Sequence, residues 1–160
     1  MSTVVTVPSN VVEKLRQDAE KRGLTLDEYL VELALQNMDP PQRAVEYINA
    51  AKELLEQAKQ ELEKGSVRQA AEKAWGATAL AIKAYAAWRE GRRLASHGEL
   101  WEYEKIMVRE LGEWIHDSWM SGQGMHVCFY EGWCDREHVE EALKRIERLV
   151  TEVAKRILRT

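Results

Sequence analysis

Residues 121–135 concentrate the histidine, cysteine and aromatic side chains of this chain that could carry chemistry. Four side chains in or just after this segment are potential zinc ligands, namely His126, Cys128, Cys134 and His138. Their spacing is not that of the common zinc fingers, which contain a Cys-x2–4-Cys pair. The same cysteines could instead form a disulfide, or be buried as ordinary small apolar side chains. The residue types therefore leave three alternatives: a structural zinc site, a Cys128–Cys134 disulfide and buried free thiols.

A Met-His-x-x-Phe-Tyr-Glu-Gly string at residues 125–132 precedes a final amphipathic segment. It resembles the Leu-His-x-Asn-Phe-Tyr-Glu signature of the archaeal PaREP family, with Cys128 where the signature has Asn. An alanine-rich helix containing Trp75 and the Ser-His turn at His97 fit the same family. The resemblance covers residues 42–158. It implies the HEPN-like helical superfamily, whose members include ribonuclease toxins, nucleotide-binding modules and partners of nucleotidyltransferases.

The resemblance implies a function for His126. HEPN ribonucleases work without metal through an Arg-x4–6-His motif, in which the His is the acid or base and the Arg stabilises charge on the phosphate. His126 occupies the position of that His, but residues 119–121 are Trp, Met and Ser, so the Arg is missing. We therefore expect a non-catalytic module that binds nucleotide, RNA or a protein partner near His126, Tyr130 and Glu131. The alternative is a metal-independent ribonuclease that uses His126.

A second Arg-x4-His match runs from Arg92 to His97, between two predicted helices. The Ser-His-Gly-Glu sequence here has the spacing of a capping box, and Arg92 falls at a helix C-terminus, where cations are favoured. These local roles explain both residues without catalysis. A ribonuclease that uses Arg92 and His97 remains a further alternative.

The composition excludes several classes of protein. The chain has 160 residues, of which 31% are charged and 45% hydrophobic, as in a folded globular protein. Its net charge of −4 has the wrong sign for a protein that coats nucleic acid non-specifically. No apolar run approaches the roughly 20 residues that span a bilayer. We expect a cytoplasmic protein with no membrane association and no cofactor.

The first 38 residues predict a strand followed by two helices. Residues 2–7 are mostly β-branched and predict the strand. Ser9 or Asn10 can then cap a helix that runs to about Arg22, and a Thr25–Glu28 capping box opens the next helix. This order resembles the ribbon-helix-helix family, whose strands pair between two chains. The resemblance implies a homodimer formed through residues 1–38.

The same arm argues against specific DNA binding. Its outward-facing strand residues are Ser2, Val4 and Thr6, and none of them can make a bidentate contact with a base. Residues 1–38 also contain four basic and six acidic side chains, a net charge of −2. We therefore expect dimerisation without operator binding, and a DNA-binding regulator is the remaining alternative for this arm.

Residues 42–160 predict an antiparallel four-helix bundle that follows a break at Asp39-Pro40-Pro41. Its helices are predicted at about Gln42 to Lys64, Ser66 to Glu90, Ser96 to Met120 and Asp135 to Thr160. The complete prediction is a mainly α protein, in which a HEPN-like bundle follows a strand-helix-helix dimerisation arm. Glu104 falls within the apolar sector of the third bundle helix, and we favour a solvated over a buried carboxylate there.

Overall fold

The computed structural model describes residues 2–159, so the bounds that we predicted at Met1 and Thr160 lie outside the described residues. In this part of the chain all regular secondary structure is helical, which confirms the prediction of a mainly α protein. The helices are α1 (Ser9–Lys21), α2 (Leu26–Leu35), α3 (Pro40–Glu63), α4 (Val67–Glu90), α5 (His97–Leu111), α6 (Trp114–Glu131) and α7 (Arg136–Ile157). None of these helices is long and apolar enough to cross a membrane.

Helix α4 forms the centre of the molecule and packs against α3, α6 and α7. Every residue from Ala74 to Ala87 is buried, as expected for a helix that is surrounded on all sides. Alanine occupies many of these positions, and its small side chain lets neighbouring helices approach closely. Helix α7 also contacts α3 and α6, so these four helices enclose one hydrophobic core.

The predicted N-terminal strand is wrong, and with it the strand-helix-helix dimerisation arm. Residues 2–7 precede α1 without forming a strand, and residues 2–159 contain no strand that could pair with them. The side chains of Val4 and Val5 are 93% and 74% exposed. β-branched residues favour extended backbone, but a strand exists only when a neighbouring ladder takes up its hydrogen bonds. The structure instead joins Ser2 to α3, through its hydroxyl and the side chains of Glu53 and Gln57.

Helices α1 and α2 form a hairpin, residues 9–35, whose second helix packs on α3 and α4. Polar contacts hold it there. The carboxylate of Glu28 is buried and accepts a hydrogen bond of 3.0 Å from Nε1 of Trp75. Nζ of Lys83 lies 2.9 Å from Oε1 of Glu32 and 3.9 Å from Oε2 of Glu28. Tyr47 of α3 donates a further hydrogen bond to Glu32.

The third predicted bundle helix is divided into two helices. Helix α5 ends at Leu111, because Gly112 adopts a φ of +118° that other residues rarely adopt. The indole Nε1 of Trp114 then donates to the carbonyl of Leu111 at 2.9 Å and satisfies one of the last carbonyls of α5. Predicting one helix over residues 96–120 was therefore wrong.

Helix α6 continues to Glu131, beyond Met120, where the third predicted bundle helix ends, so that predicted end was wrong. The reason is a close approach between α6 and α4 at Gly122. A Cβ atom at this position would lie 2.5 Å from Cγ2 of Thr78, so only glycine lets the two helices meet at this distance. This packing outweighs the low helix propensity of the glycines in the segment.

Glu104 is buried rather than solvated, contrary to our preference. Its side chain is only 3% exposed, and its Oε1 lies 2.7 Å from Nδ1 of His116, an exposed residue of α6. The buried carboxylate is thus compensated by a ring from the following helix, which no local pattern in α5 reveals.

Candidate functional site

Two histidines from different helices stack against each other beside the central helix. The ring centroids of His97 and His126 are 5.4 Å apart, and the two planes differ by 25°. The indole of Trp75 lies 4.6 Å from His126 and 5.4 Å from His97. Trp119, which is fully buried, closes the other side at 5.7 Å from Trp75. We call these four side chains the histidine site.

Local sequence features place both histidines. The hydroxyl of Ser96 accepts from the backbone N–H of Glu99 and begins α5, so that His97 is the first residue of the helix. The continuous helix α6 carries His126 and Tyr130 one turn apart, and their ring centroids are 5.2 Å apart with the planes near perpendicular. Tyr130 itself is 52% exposed. The histidine site therefore reaches the surface through Tyr130.

Three polar atoms at the histidine site are buried without a hydrogen-bond partner. They are Nδ1 of His126, Nε1 of Trp119 and Nε2 of Gln123. The amide oxygen of Gln123 lies 3.2 Å from Nε2 of His97, which leaves its Nε2 donor unused. Buried polar groups normally have partners, so these atoms indicate positions for water or for a ligand that offers hydrogen-bond acceptors.

Burial lowers the pKa of the His126 imidazole to about 4, and the neighbouring His97 contributes in the same direction. Both effects disfavour the protonated ring. At neutral pH His126 is therefore an uncharged hydrogen-bonding group, able to accept or donate through its free Nδ1.

We expect the imidazole of His126 to titrate near pH 4 in an NMR experiment on the folded protein. Since its ordinary pKa of 6.5 applies to the unfolded chain, the unfolded state binds the proton more readily. The free energy of unfolding then decreases as pH falls from 6.5 towards 4. In urea unfolding, a His126→Asn variant should show a smaller decrease over this range. A titration midpoint near pH 6.5 would contradict the partial burial of the His126 ring.

A cavity of about 320 Å³ lies between the hairpin and helices α4 and α6, next to the histidine site. Tyr130 joins the two, since its ring contacts His126 and also lines the cavity. Arg68 lies at the same wall and donates hydrogen bonds to the carbonyls of Phe129 and Tyr130. This contact satisfies carbonyls at the end of α6 and fixes the position of the tyrosine.

The other residues that we predicted for catalysis and ligand binding lie away from the histidine pair. The guanidinium of Arg92 lies over the ring of Tyr103 at 5.5 Å and 3.6 Å from Glu90, so Arg92 and His97 do not contact each other. Glu131 is the last residue of α6 and is exposed. The Arg-x4-His match at Arg92 therefore does not bring its two side chains into contact in the structure.

The four predicted zinc ligands are not brought together. Cys128 and Cys134 form a disulfide with a Cα–Cα distance of 5.6 Å, and it links the last turn of α6 to the segment before α7. The ring of His138 accepts from the backbone N–H of Asp135 in the capping box of α7. In residues 2–159 no group of three or more His, Cys, Asp or Glu side chains is arranged to hold a metal ion.

Sequence reasoning missed Gln123 as a member of the site. An isolated glutamine between two glycines carries no signal, and it falls between the third and fourth predicted bundle helices. Only the helical course of α6 turns this side chain towards His97.

The fold and the site define a helical protein in which a two-helix hairpin adjoins a half-buried histidine pair. Residues 46–150 match the model of the archaeal PaREP1/PaREP8 family, and the chain belongs to this family. The matched segment contains Trp75, His97 and His126, whereas the hairpin precedes it. No curated protein and no solved structure matches the chain significantly.

Proposed function

We propose that this chain is a HEPN-like module that binds a nucleotide at the histidine site without cleaving it. One observation carries the proposal, which is the cluster of unpartnered polar atoms of Trp119, Gln123 and His126 among aromatic rings. A base or sugar offers acceptors to such donors. The half-exposed ring of Tyr130 next to the cluster offers a face on which a base can stack.

The lack of the motif Arg before His126 argues against catalysis. RNA cleavage through the ribose hydroxyl builds negative charge on the phosphate, and electrostatic stabilisation of that charge is usually the largest catalytic contribution. The residues at the expected Arg positions are Trp119, Met120 and Ser121. Lys83, a buried cation of α4, is already paired with Glu28 and Glu32. A neutral His126 also lacks the proton that a general acid must donate at pH 7.

A ribonuclease is the second candidate, and the stacked histidines favour it. Cleavage without metal needs one base and one acid, and two imidazoles 5.4 Å apart could share these roles. Because cleavage leaves a cyclic phosphate end and binding does not, the two functions are separable in one experiment.

The test combines binding and cleavage on the intact chain. Each nucleoside 5′-monophosphate and a short single-stranded RNA are titrated in EDTA while tryptophan fluorescence is recorded, since Trp75 and Trp119 lie in the site. We expect saturable binding that falls about tenfold or more in His126→Ala. The control is Val127→Ala, an exposed neighbour on α6 that should bind like wild type.

The RNA arm of the same experiment separates the candidates. Intact RNA after long incubation supports a binding module, and cyclic-phosphate products lost in His126→Ala and His97→Ala establish the ribonuclease instead. Tighter binding of RNA than of monophosphates identifies a polymer ligand, and the reverse identifies a free nucleotide. No binding to any probe overturns the proposal.

A further inference from the structure

The cavity beside Tyr130 has the dimensions and the lining of a site for a flat ring. Its volume of about 320 Å³ lies within the range of small-molecule sites. Leu24 and Leu26 of the hairpin form apolar walls, and Phe129 and Tyr130 of α6 contribute aromatic rings whose centroids are 5.0 Å apart. Such walls suit a planar ligand with little charge on its faces.

One half-buried carboxylate in this cavity has no partner. Glu72 is half-buried, and within residues 2–159 it makes neither a hydrogen bond nor an ion pair. Of its acidic neighbours, Asp27 pairs with Lys73 at 2.8 Å and Glu28 accepts from Trp75, whereas Glu20, which also lines the cavity, is exposed to solvent. Leaving a partly desolvated carboxylate unpaired costs free energy that a donor from a ligand recovers.

Arg16 lines the same cavity from α1, at its exposed edge. Within residues 2–159 its guanidinium forms no hydrogen bond and no ion pair. Arg68, the second cation of the cavity, is already occupied by the carbonyls at the end of α6. Arg16 is therefore the cation of this cavity that is available to a phosphate group.

We propose that the cavity holds a guanine base, which stacks on Tyr130 while Glu72 accepts hydrogen bonds from its N1–H and its exocyclic amino group. The inference rests on the proposed nucleotide binding and names the preferred base, which lies in the cavity while the sugar reaches the donors of the histidine site beside Tyr130. A carboxylate offers two acceptor oxygens and no donor, so it matches an edge that presents two adjacent donors. Guanine has such an edge, whereas adenine and cytosine pair a donor with an acceptor, and uracil places its one donor between two acceptors. The guanidinium of Arg16 then binds the phosphate group of the nucleotide.

In the absence of a ligand, the surroundings of Glu72 disfavour its ionised form. Burial, and then the neighbouring Asp27, raise its pKa above the ordinary value, while Lys73 and Arg16 oppose the shift. Two donors from a base compensate the carboxylate in place of solvent.

Calorimetric titration of the full chain with GMP, IMP and AMP tests the inference. Inosine keeps the N1–H and lacks the exocyclic amino group, so we expect affinity to fall from GMP to IMP to AMP, by about tenfold or more over the series. Glu72→Gln keeps the size of the side chain and should remove this discrimination by weakening GMP. The matched control is Glu63→Gln, an exposed carboxylate at the end of α3.

The outcomes separate this inference from the proposed function. Equal affinities for GMP and AMP that both fall in His126→Ala retain nucleotide binding and overturn the guanine preference. A preference for GMP that survives in Glu72→Gln likewise overturns the role of Glu72. Absence of binding by all three nucleotides overturns both proposals.

Discussion

Replacing Lys83 by methionine is expected to destabilise the protein by about 3 kcal/mol, because it leaves the carboxylate of Glu28 buried without its cation. The two side chains are 5% and 1% exposed, and Glu32 shares the same ammonium group. Burial already raises the pKa of Glu28, and Lys83 opposes that shift. Without the lysine, Glu28 takes up a proton more readily. The loss of stability is therefore at the lower end of the range for removal of one partner from a buried ion pair. Urea unfolding at pH 7 measures it.

A double variant separates loss of the charge pair from loss of packing. Adding Glu28→Gln to Lys83→Met removes the uncompensated charge while keeping a hydrogen-bond acceptor for Trp75. We therefore expect part of the lost stability to return. If the double variant is less stable than Lys83→Met by the full cost of Glu28→Gln alone, the two residues do not interact as the structure has them.

Gly122→Ala is expected to cost about 2 kcal/mol, because helix α6 cannot keep its distance from α4 with a side chain at this position. The added Cβ would lie 2.5 Å from Cγ2, 2.6 Å from Oγ1 and 2.8 Å from Cβ of Thr78. Rotation of the threonine relieves the first two contacts but not the last, so the backbone itself must move. Thermal and urea unfolding both report the loss.

The control for this variant lies two residues further along the same helix. An alanine Cβ at Gly124 meets nothing within 4 Å, so Gly124→Ala should gain about 0.5–1 kcal/mol from helix propensity alone. Equal effects of the two substitutions, in either direction, would mean that α4 and α6 are not in contact at Gly122.

The sequence predicts those parts of the fold that depend on neighbouring residues. The capping boxes that begin α2 and α5 at Thr25 and Ser96 are present as predicted, and glycines with positive φ follow α1, α3 and α4. Each of these signals is local. The strand at residues 2–7 and the course of α6 depend instead on partners far along the chain, and a window of sequence contains no information on whether a partner is present.

The candidate site also contains residues that local sequence predicts and residues that only the packing brings in. A short signature points to His126 and Tyr130, since both lie within one string of residues. His97 lies 29 positions earlier, and its capping box explains it without reference to His126. Only the packing of α5 and α6 against Trp75 makes the two rings neighbours. Glu72 carries no signal at all, because a glutamate on a helix is ordinarily solvated.

The hairpin of α1 and α2 lies before the segment that the family shares, yet it supplies Glu28 to Trp75 and two leucines to the cavity. In a family member without such a hairpin, the indole N–H of Trp75 and the ammonium of Lys83 would face water, and the cavity would lose one wall. The shape of this cavity in related chains would then depend on the segment that precedes the shared helices.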